Sequence, residues 1–550
     1  MARWLLQLVV HSRDLRRVVV AFAGFNLADW ARWLAILVYA FQRGGAAEAG
    51  AVSLLQLLPA AVIAPFAADF GDRYSRERML LIAYWSQAVA MGATGIALVT
   101  AMPAFVVYGF AVLAVIATSL TRPAHASLLP GLARDPAELT AANVASGWTE
   151  SLGILLGPAI AGLVIDRLGP GAVFLLAAGV MAIGGGLVAG VRPIPRSIAR
   201  SVDRRSPDGA SPAPAGSSNI DELLGGFSAL ARLPGPRTVV LVLGAAALLW
   251  GAVDVLNVAL ALGTMDIGSI GAGILGASLG VGGIIGSWLA ASLVSRPRIV
   301  TVFVAGLLVW GVPLIGIALL PIPLVAVGLL VAAGAGRSLM DIAGRTLLQR
   351  ATPDEVLSRI FGIVEGIFLG AFGVGSILIA GLIGAEGVRG GLVVAGSWLP
   401  IVALVAWRAL RVIDAHAVVP VGRLALVRAI PMFAPLPALT LERLARRLVP
   451  VVAPAGTWII RQGEAGDRFY VVESGQVEFS IDDRVVRTDG AGASFGEIAL
   501  LRDIPRTASV RAVTDVQMVA LAREPFVEAV TGQAASRSTA EALVADRLGA

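Results

Sequence analysis

Eight ionisable side chains interrupt long apolar runs: Asp29, Arg32, Arg122, Glu150, Asp254, Arg337, Asp341 and Glu365. An ionised group at hydrocarbon depth costs about 2.5–3.5 kcal/mol on insertion scales, so each needs a partner or a wet cavity. The four acids Asp29, Glu150, Asp254 and Glu365 are candidates for taking up and releasing a proton in such a cavity, and all the charges are candidates for substrate contact. Spacing offers a plainer account of some of them. Asp29 with Arg32, and Arg337 with Asp341, lie three and four apart and could neutralise each other on one helix face. Arg122 and Arg337 stand near the ends of their runs and could snorkel toward headgroups. Glu150 and Glu365 have no cation at local helical spacing. His125, at the end of the fourth run, suits a structural hydrogen bond.

The runs that carry these charges are long enough to span a bilayer, which takes about 20 apolar residues. They fall at 17–42, 50–69, 79–101, 103–123, 141–165 and 170–191, then at 238–263, 268–293, 299–320, 322–344, 358–384 and 390–407. Six runs, a gap and six more imply a twelve-helix all-α membrane protein. The gap, 193–237, contains a Ser/Pro/Gly/Ala tract that cannot bury enough apolar surface to fold alone, and its end, Ile220 to Leu233, could form a short interfacial helix. Domain boundaries follow: a first six-helix half at 1–192, the central loop at 193–237, a second half at 238–412, a linker at 413–430 and a different kind of unit at 431–550.

Composition agrees with this division. Of 550 residues, 57% are hydrophobic and only 15% charged, with mean hydropathy +0.82, against about 25% charged in ordinary soluble domains. Cysteine is absent, which removes disulfides and thiol chemistry, and all 43 basic residues are Arg. The pI near 10.5 is an orientation signal and not a nucleic-acid face, because Arg clusters at the ends of the runs. Arg13, Arg16 and Arg17, then Arg73, Arg76 and Arg78, Arg134, Arg296 and Arg298, and Arg345 and Arg350 occupy alternate connections. By the positive-inside rule both termini and the central loop are cytoplasmic, in a multi-pass cell-membrane protein. Met1 to Val10 reads as an amphipathic lead-in. No metal-ligand cluster, nucleophile–base set or Walker-type loop appears, so neither an enzyme, a metal site nor a cofactor is expected.

The halves repeat. Ser119-Leu-Thr-Arg-Pro-Ala-His-Ala-Ser-Leu-Leu parallels Ser338-Leu-Met-Asp-Ile-Ala-Gly-Arg-Thr-Leu-Leu, and Asp29 with Arg32 parallels Asp254 with Asn257. The 72–78 connection, Asp72-Arg73-Tyr-Ser-Arg76-Glu-Arg78, resembles the signature loop of major facilitator superfamily transporters, with Ala68 and Ser75 where that pattern has glycine. Over residues 12–412 this resemblance implies two six-helix pseudo-repeats and a cavity lined by spans 1, 4, 7 and 10. It also implies a conformational gating role for Asp72, Arg73, Arg76 and Arg78. Gly153-x-x-x-Gly157-Pro158-x-x-Ala161-Gly162 resembles the family's antiporter motif, although small residues at this spacing also serve plain helix packing.

From about residue 428 the pattern shortens to alternating stretches: 457–461, 468–472, 476–481, 484–487, 507–511 and 516–521 read as strands of a compact β-structure. Gly456, Gly463, Gly466, Gly475 and Gly490 fall between them, at turns that favour positive φ. A helix at 440–448 precedes the strands and another follows from about Ser536. The segment Phe495-Gly496-Glu497-Ile498-Ala499 through Arg506-Thr507-Ala508 is similar to the phosphate-binding cassette of cyclic nucleotide-binding domains, a β-roll with flanking helices. The resemblance implies that Arg506 contacts the cyclic phosphate, that Glu497 accepts from the ribose 2′-hydroxyl, and that Thr507 adds a hydroxyl contact. The regulatory ligand implied is cAMP, with cGMP as the alternative. Roughly 25 residues follow Phe526, enough for a lid helix, and no nucleic-acid partner is expected.

Together these readings describe a secondary active transporter, a proton-coupled exporter of a small or amphipathic compound, regulated by the cyclic nucleotide. The alternative is a non-transporting membrane receptor or scaffold on the same fold. The expected partners are the nucleotide, a small-molecule substrate, protons and the lipid bilayer.

Overall fold

The computed structural model describes residues 13–73, 76–133, 136–191, 227–228, 230–293, 299–352, 354–417, 421–436 and 438–548. The chain divides into two compact units, the first ending at His416 and the second starting at Ala417.

In the first unit, backbone groups that meet hydrocarbon must bond within their own segment, and long helices result. The helix Arg13–Arg73 breaks at Gly44 and Gly45, where Gly45 has φ 65°, leaving span 1 (13–43) and span 2 (46–73). Asp354–Ala417 breaks likewise at Gly387, φ 72°, leaving span 11 (354–386) and span 12 (388–417). A side chain disfavours that left-handed backbone, so glycine sets where each hairpin folds over. Between them lie span 3 (Arg76–Val99), span 4 in two pieces (Ala104–Thr118 and Thr121–Leu132), span 5 (Pro136–Leu168) and span 6 (Pro170–Ala189). Span 7 (Pro234–Ala259) runs on through a π turn, Leu260–Thr264, and is followed by span 8 (Gly268–Leu293), span 9 (Ile299–Leu319) and span 10 (Pro323–Ala351). Spans 6, 7 and 10 open on proline, whose missing N–H costs nothing in the first turn. Nine helices among the described residues are long and apolar enough to cross a membrane, the last of them, Arg359–Ile413, folding back as two spans.

Apolar side chains point both ways from these helices. Trp310, Phe303 and Tyr84 are fully buried, whereas Trp288, Leu404 and Val405 are about four-fifths exposed, as a lipid-facing surface requires. The two halves meet at the end of the bundle that carries the Gly45 and Gly387 hairpins. A Cβ at Gly162 of span 5 would lie 2.6 Å from the Ser269 carbonyl oxygen of span 8, and one at Gly50 of span 2 would lie 2.5 Å from that of Ser376 in span 11. The Gly153-to-Gly162 series is therefore packing. Gly153 and Gly157 seat against Asn26 and Trp30 of span 1, and Gly162 against Gly273 of span 8.

Several expectations change at helix ends. Span 10 continues to Ala351, so Arg345 and Arg350 are helical and do not form a loop. Residues 74–75 and the side chains of Asp72, Arg73 and Arg76 lie outside the described residues, while Arg78 is exposed in the first turn of span 3. Of the expected 220–233 helix, 227–228 and 230–232 are helical, and 192–226 lie outside the described residues.

The second unit starts with α1 (Val421–Ala429) and α2 (Ala438–Arg447), then strands β1 (Val449–Ala453), β2 (Trp458–Ile460), β3 (Arg468–Ser474), β4 (Val477–Ile481), β5 (Arg484–Asp489) and β6 (Ser494–Phe495). The short helix α3 (Glu497–Arg502), β7 (Ser509–Ala512), β8 (Val516–Ala522), α4 (Arg523–Thr531) and α5 (Ala534–Leu548) complete it. Two four-stranded sheets, β1-β8-β3-β6 and β2-β7-β4-β5, form a roll, with every pairing antiparallel. In β3 the alternation of side chains divides between two cores. Tyr470 and Val472 face the roll interior with Val477, Phe479 and Phe495, whereas Phe469 and Val471 face the helices with Phe433 and Phe526. The stretch 413–430 is not a free linker: α1 places Val427 in that helical core beside Leu444 of α2 and Leu500 of α3. Strand β1 escaped prediction because Pro450 interrupts it. It is an edge strand, where proline is tolerated.

Replacing Gly162 by Val should hold spans 5 and 8 apart. A cysteine introduced as Asn257→Cys in this cysteine-free chain should then react with an impermeant maleimide about three-fold faster or more, from the membrane side that the Gly387 hairpin faces, because packed interfaces switch rather than stretch.

Candidate functional site

In the roll, the chain leaves β6 at Phe495, buried between Tyr470 (ring centroids 5.3 Å apart) and Phe479 (5.5 Å). Gly496 turns it with φ 93°. A methyl there would lie 2.7 Å from Arg506 Nη1 and 2.9 Å from the Arg468 carbonyl oxygen, so only glycine lets the guanidinium sit against the turn. Arg506 is 5% exposed. Its Nη1 donates to the Gly496 carbonyl (3.0 Å) and its Nη2 to the Arg468 carbonyl (2.8 Å) and the Asp467 carboxylate (3.3 Å). Three of five N–H donors are used and the head is fixed in orientation. Gly466 does not have positive φ. It is small because a Cβ there would lie 2.8 Å from Ala499 Cβ.

Glu497, 1% exposed, takes a hydrogen bond from Arg547 of α5 (2.6 Å), which also donates to the Ser494 carbonyl (2.9 Å). The other carboxylate oxygen, Oε2, is buried with no partner. A buried acceptor left unsatisfied costs about 1–3 kcal/mol, more when charged, so the site is built for a donor that completes it. Ala499 is buried, and Ile498, Thr507 and Ala508 are half-buried around this turn. Burial raises the Tyr470 hydroxyl pKa, with the Asp467 charge adding to the effect, so the ring is a neutral wall here. The structure thus brings Gly496 against Arg506 and Ala499 beside Gly466, with Phe495, Glu497 and Ile498 on the same turn and Thr507 and Ala508 following Arg506 in the chain, and it adds Asp467 and Arg547, which sequence reasoning missed. Arg547 carries no local signal, lying 50 residues from its partner.

In the membrane unit the charges pair both along and across helices. Arg32, 3% exposed, bonds Asp29 on its own helix and reaches Thr118 Oγ1 at 3.5 Å. Arg122 of span 4 donates to Glu150 of span 5 (2.5 Å) and to Asn26 (3.4 Å). Asp341 does not pair with Arg337. It accepts from Arg345 at 3.2 Å, and Arg345 also reaches Glu365 of span 11 at 3.3 Å. Glu150 and Glu365 therefore each hold an Arg of the preceding span, a partner that local spacing could not show. The Asp341-to-Arg345 interval, four residues, is the signal that was available. These two cross-helix pairs are each roughly half-exposed, and ion pairs so exposed contribute about 0–1 kcal/mol to stability.

Asp254 differs. Its Oδ2 accepts from the Trp33 indole N–H at 2.7 Å, a bond from span 7 in one half to span 1 in the other. Trp30 stacks on Trp250 with centroids 6.2 Å apart, and the Arg337 guanidinium lies 4.0 Å from the Trp250 ring centroid. A cavity with about 630 Å³ of atom-free space opens among Trp33, Trp250, Trp310, Asp254 and Arg337. His125 accepts the bland role expected of it, bonding Ser146 Oγ at 2.9 Å and stacking on Phe22.

Residues 18–301 match the family model described as Major Facilitator Superfamily, just over half of the chain. The chain belongs to the Major Facilitator Superfamily. A crystal structure of the nucleoside transporter NupG superposes on this superfamily member with TM-score 0.58 at 15% identity, covering 72% of this chain and 99% of that one, which shows the shared fold. Residues 450–532 match the cyclic nucleotide-binding domain, so the chain joins a transporter fold to that domain. Within it, the chain is 51% identical over 71 residues to a cAMP-dependent protein kinase regulatory subunit of Eremothecium gossypii, covering 13% of this chain and 16% of that one. It is 41% identical over 96 residues to a cyclic nucleotide-gated potassium channel of Rhizobium etli (18% and 27%) and 45% identical over 74 residues to a cGMP-dependent protein kinase of Caenorhabditis elegans (14% and 10%). The chain thus spans about a quarter or less of these relatives' length, and the likeness is to one domain of each.

Gly496→Ala should destabilise the second unit by about 1–2 kcal/mol from the left-handed backbone alone, read as a shift in its denaturant midpoint.

Proposed function

We propose that this superfamily member is a secondary transporter whose conformational equilibrium is set by cAMP bound to its second unit. The observation that carries the reading is the pairing of an oriented, buried Arg506 with the unpartnered Oε2 of Glu497. A cyclic phosphate beside a ribose hydroxyl supplies the anion that the one attracts and the donor that the other lacks. Phe495, Gly496, Ile498, Ala499 and Ala508 shape the turn, and Thr507 offers a hydroxyl to phosphate or purine. Relatives with either cAMP or cGMP in their names match this chain, and cAMP is the favoured ligand.

Occupancy has a route out of the pocket. Glu497 is held by Arg547 of α5, and Leu500 of α3 packs in the core that contains Val427 of α1, the helix that follows span 12 in the chain. A ligand shifts conformers only by binding one of them better, and a nucleotide that reorients Glu497 or α3 does so through these contacts.

The Arg-rich connections support a cytoplasmic location for both termini and the nucleotide domain of a cell-membrane protein. The close approach of the halves at the opposite end, with wetted Arg122–Glu150 and Arg345–Glu365 pairs nearer the Arg-rich end, fits an inward-facing conformer. Asp29, Arg32, Arg122, Glu150, Asp254, Asp341 and Glu365 form the transport and proton-coupling set. Asp254 leads the acids in it, since Asp29, Glu150 and Glu365 each hold an Arg while Asp254 holds an indole N–H. Export of a small or amphipathic compound against protons is the direction favoured. The 72–78 loop, with Asp72, Arg73, Arg76 and Arg78, acts in gating.

Calorimetry of the full chain in detergent should show cAMP binding that Arg506→Ala weakens about 100-fold, the size expected for a charge-assisted contact. In the same variant, cAMP should no longer change the maleimide reactivity of Asn257→Cys. An undiminished cAMP response in Arg506→Ala, or full binding with no change in reactivity in the unmodified pocket, defeats the proposal.

A further inference from the structure

The most telling group outside the nucleotide pocket is Arg337. Three acids lie within its electrostatic reach: Asp341, Asp254 and Glu150. Each is bonded elsewhere, to Arg345, Trp33 and Arg122 respectively. Among the described residues Arg337 has no carboxylate within 4.0 Å and no hydrogen bond, only the face of Trp250 at 4.0 Å. Stacking on an indole satisfies the guanidinium face and leaves its edge N–H donors free. A second cavity, about 500 Å³ of atom-free space, has Arg337, Trp250 and Trp310 in its lining, and the same three residues line the cavity that holds Asp254. Any solute passing between the two cavities must cross this wall.

Resting on the transporter reading above, we infer that the transported substrate is an aromatic amphipath bearing a carboxylate or a similar planar oxyanion, which Arg337 receives edge-on while its ring packs against the partly exposed Trp33. A bidentate oxyanion matches the guanidinium fork. An aromatic wall adds a ring contact that favours an aromatic substrate. A cationic substrate fits poorly, because the open position beside the cavity is already positive and its one lining carboxylate, Asp254, is satisfied across the halves by Trp33.

The test uses the full chain in lipid nanodiscs and three matched probes: 2-naphthoate, neutral 2-naphthalenemethanol and cationic 2-naphthylmethylamine, titrated by calorimetry. Naphthoate should bind about ten-fold or more tightly than the alcohol, and the amine weakest, as charge-assisted pairing predicts. Arg337→Gln should reduce naphthoate to the level of the alcohol, with Arg337→Lys between. Equal binding of naphthoate and alcohol, preference for the amine, or no binding of any probe overturns the inference. If Arg337→Gln does not fold, the order of the probes on the unmodified chain still decides it. cAMP titrated into the same samples keeps the two readings apart. Retained cAMP binding with a wrong probe order defeats the substrate class alone, and lost cAMP binding with the right order defeats the nucleotide reading alone.

Discussion

A charge set inside an apolar helix has to be solvated by the protein itself, and the arrangement of the transmembrane unit answers that demand. Hydrocarbon offers no hydrogen bonds, so Arg122 and Arg345 reach acids on the next span and Arg32 folds back onto Asp29. These links tie span 4 to span 5 and span 10 to span 11. The halves are joined by the Trp33–Asp254 bond, the Trp30–Trp250 stack and close backbone approaches between spans 5 and 8.

The nucleotide domain solves a different problem with one sheet. Strands β3 and β8 send alternate side chains into the roll and into the helical layer, so a change at α3 is felt in both cores. Leu500 belongs to the helical core, while its neighbour in sequence, Ala499, packs beside Gly466 at the pocket. A single turn of chain therefore connects ligand chemistry to helix packing. Phe433, Phe469 and Phe526, with centroids 4.7 to 5.9 Å apart, make that packing stiff.

The spans were legible because hydrophobic run length has one meaning in a bilayer, and the roll was legible because strand alternation survives in 468–472 and 476–481. The cassette could be read from Phe495-Gly496-Glu497 and Arg506, since its chemistry is local in sequence. Long-range pairing could not be. Glu150 has no cation at local spacing because Arg122 lies 28 residues away, and Arg547 lies 50 residues from Glu497. Helix ends misled for a related reason: charge was taken to end a span, yet Arg345 stays helical because Asp341 and Glu365 receive it. The α1 segment read as a linker because its few apolar residues matter only beside partners brought by folding, such as Leu444 and Phe526.

The glycine contacts between spans 5 and 8 carry a kinetic consequence. Where Gly162 meets Gly273 and Ser269 backbone approaches backbone, and the Pro158 side chain lies over Gly276 in the same seam. Separating such surfaces forfeits dispersion contacts of about 0.1–0.2 kcal/mol per atom pair but requires no rotamer to change first. That seam behaves as a smooth bearing. The friction of the conformational cycle then resides in the indoles at Trp30, Trp33 and Trp250, which must unstack and release Asp254 before the bearing can turn.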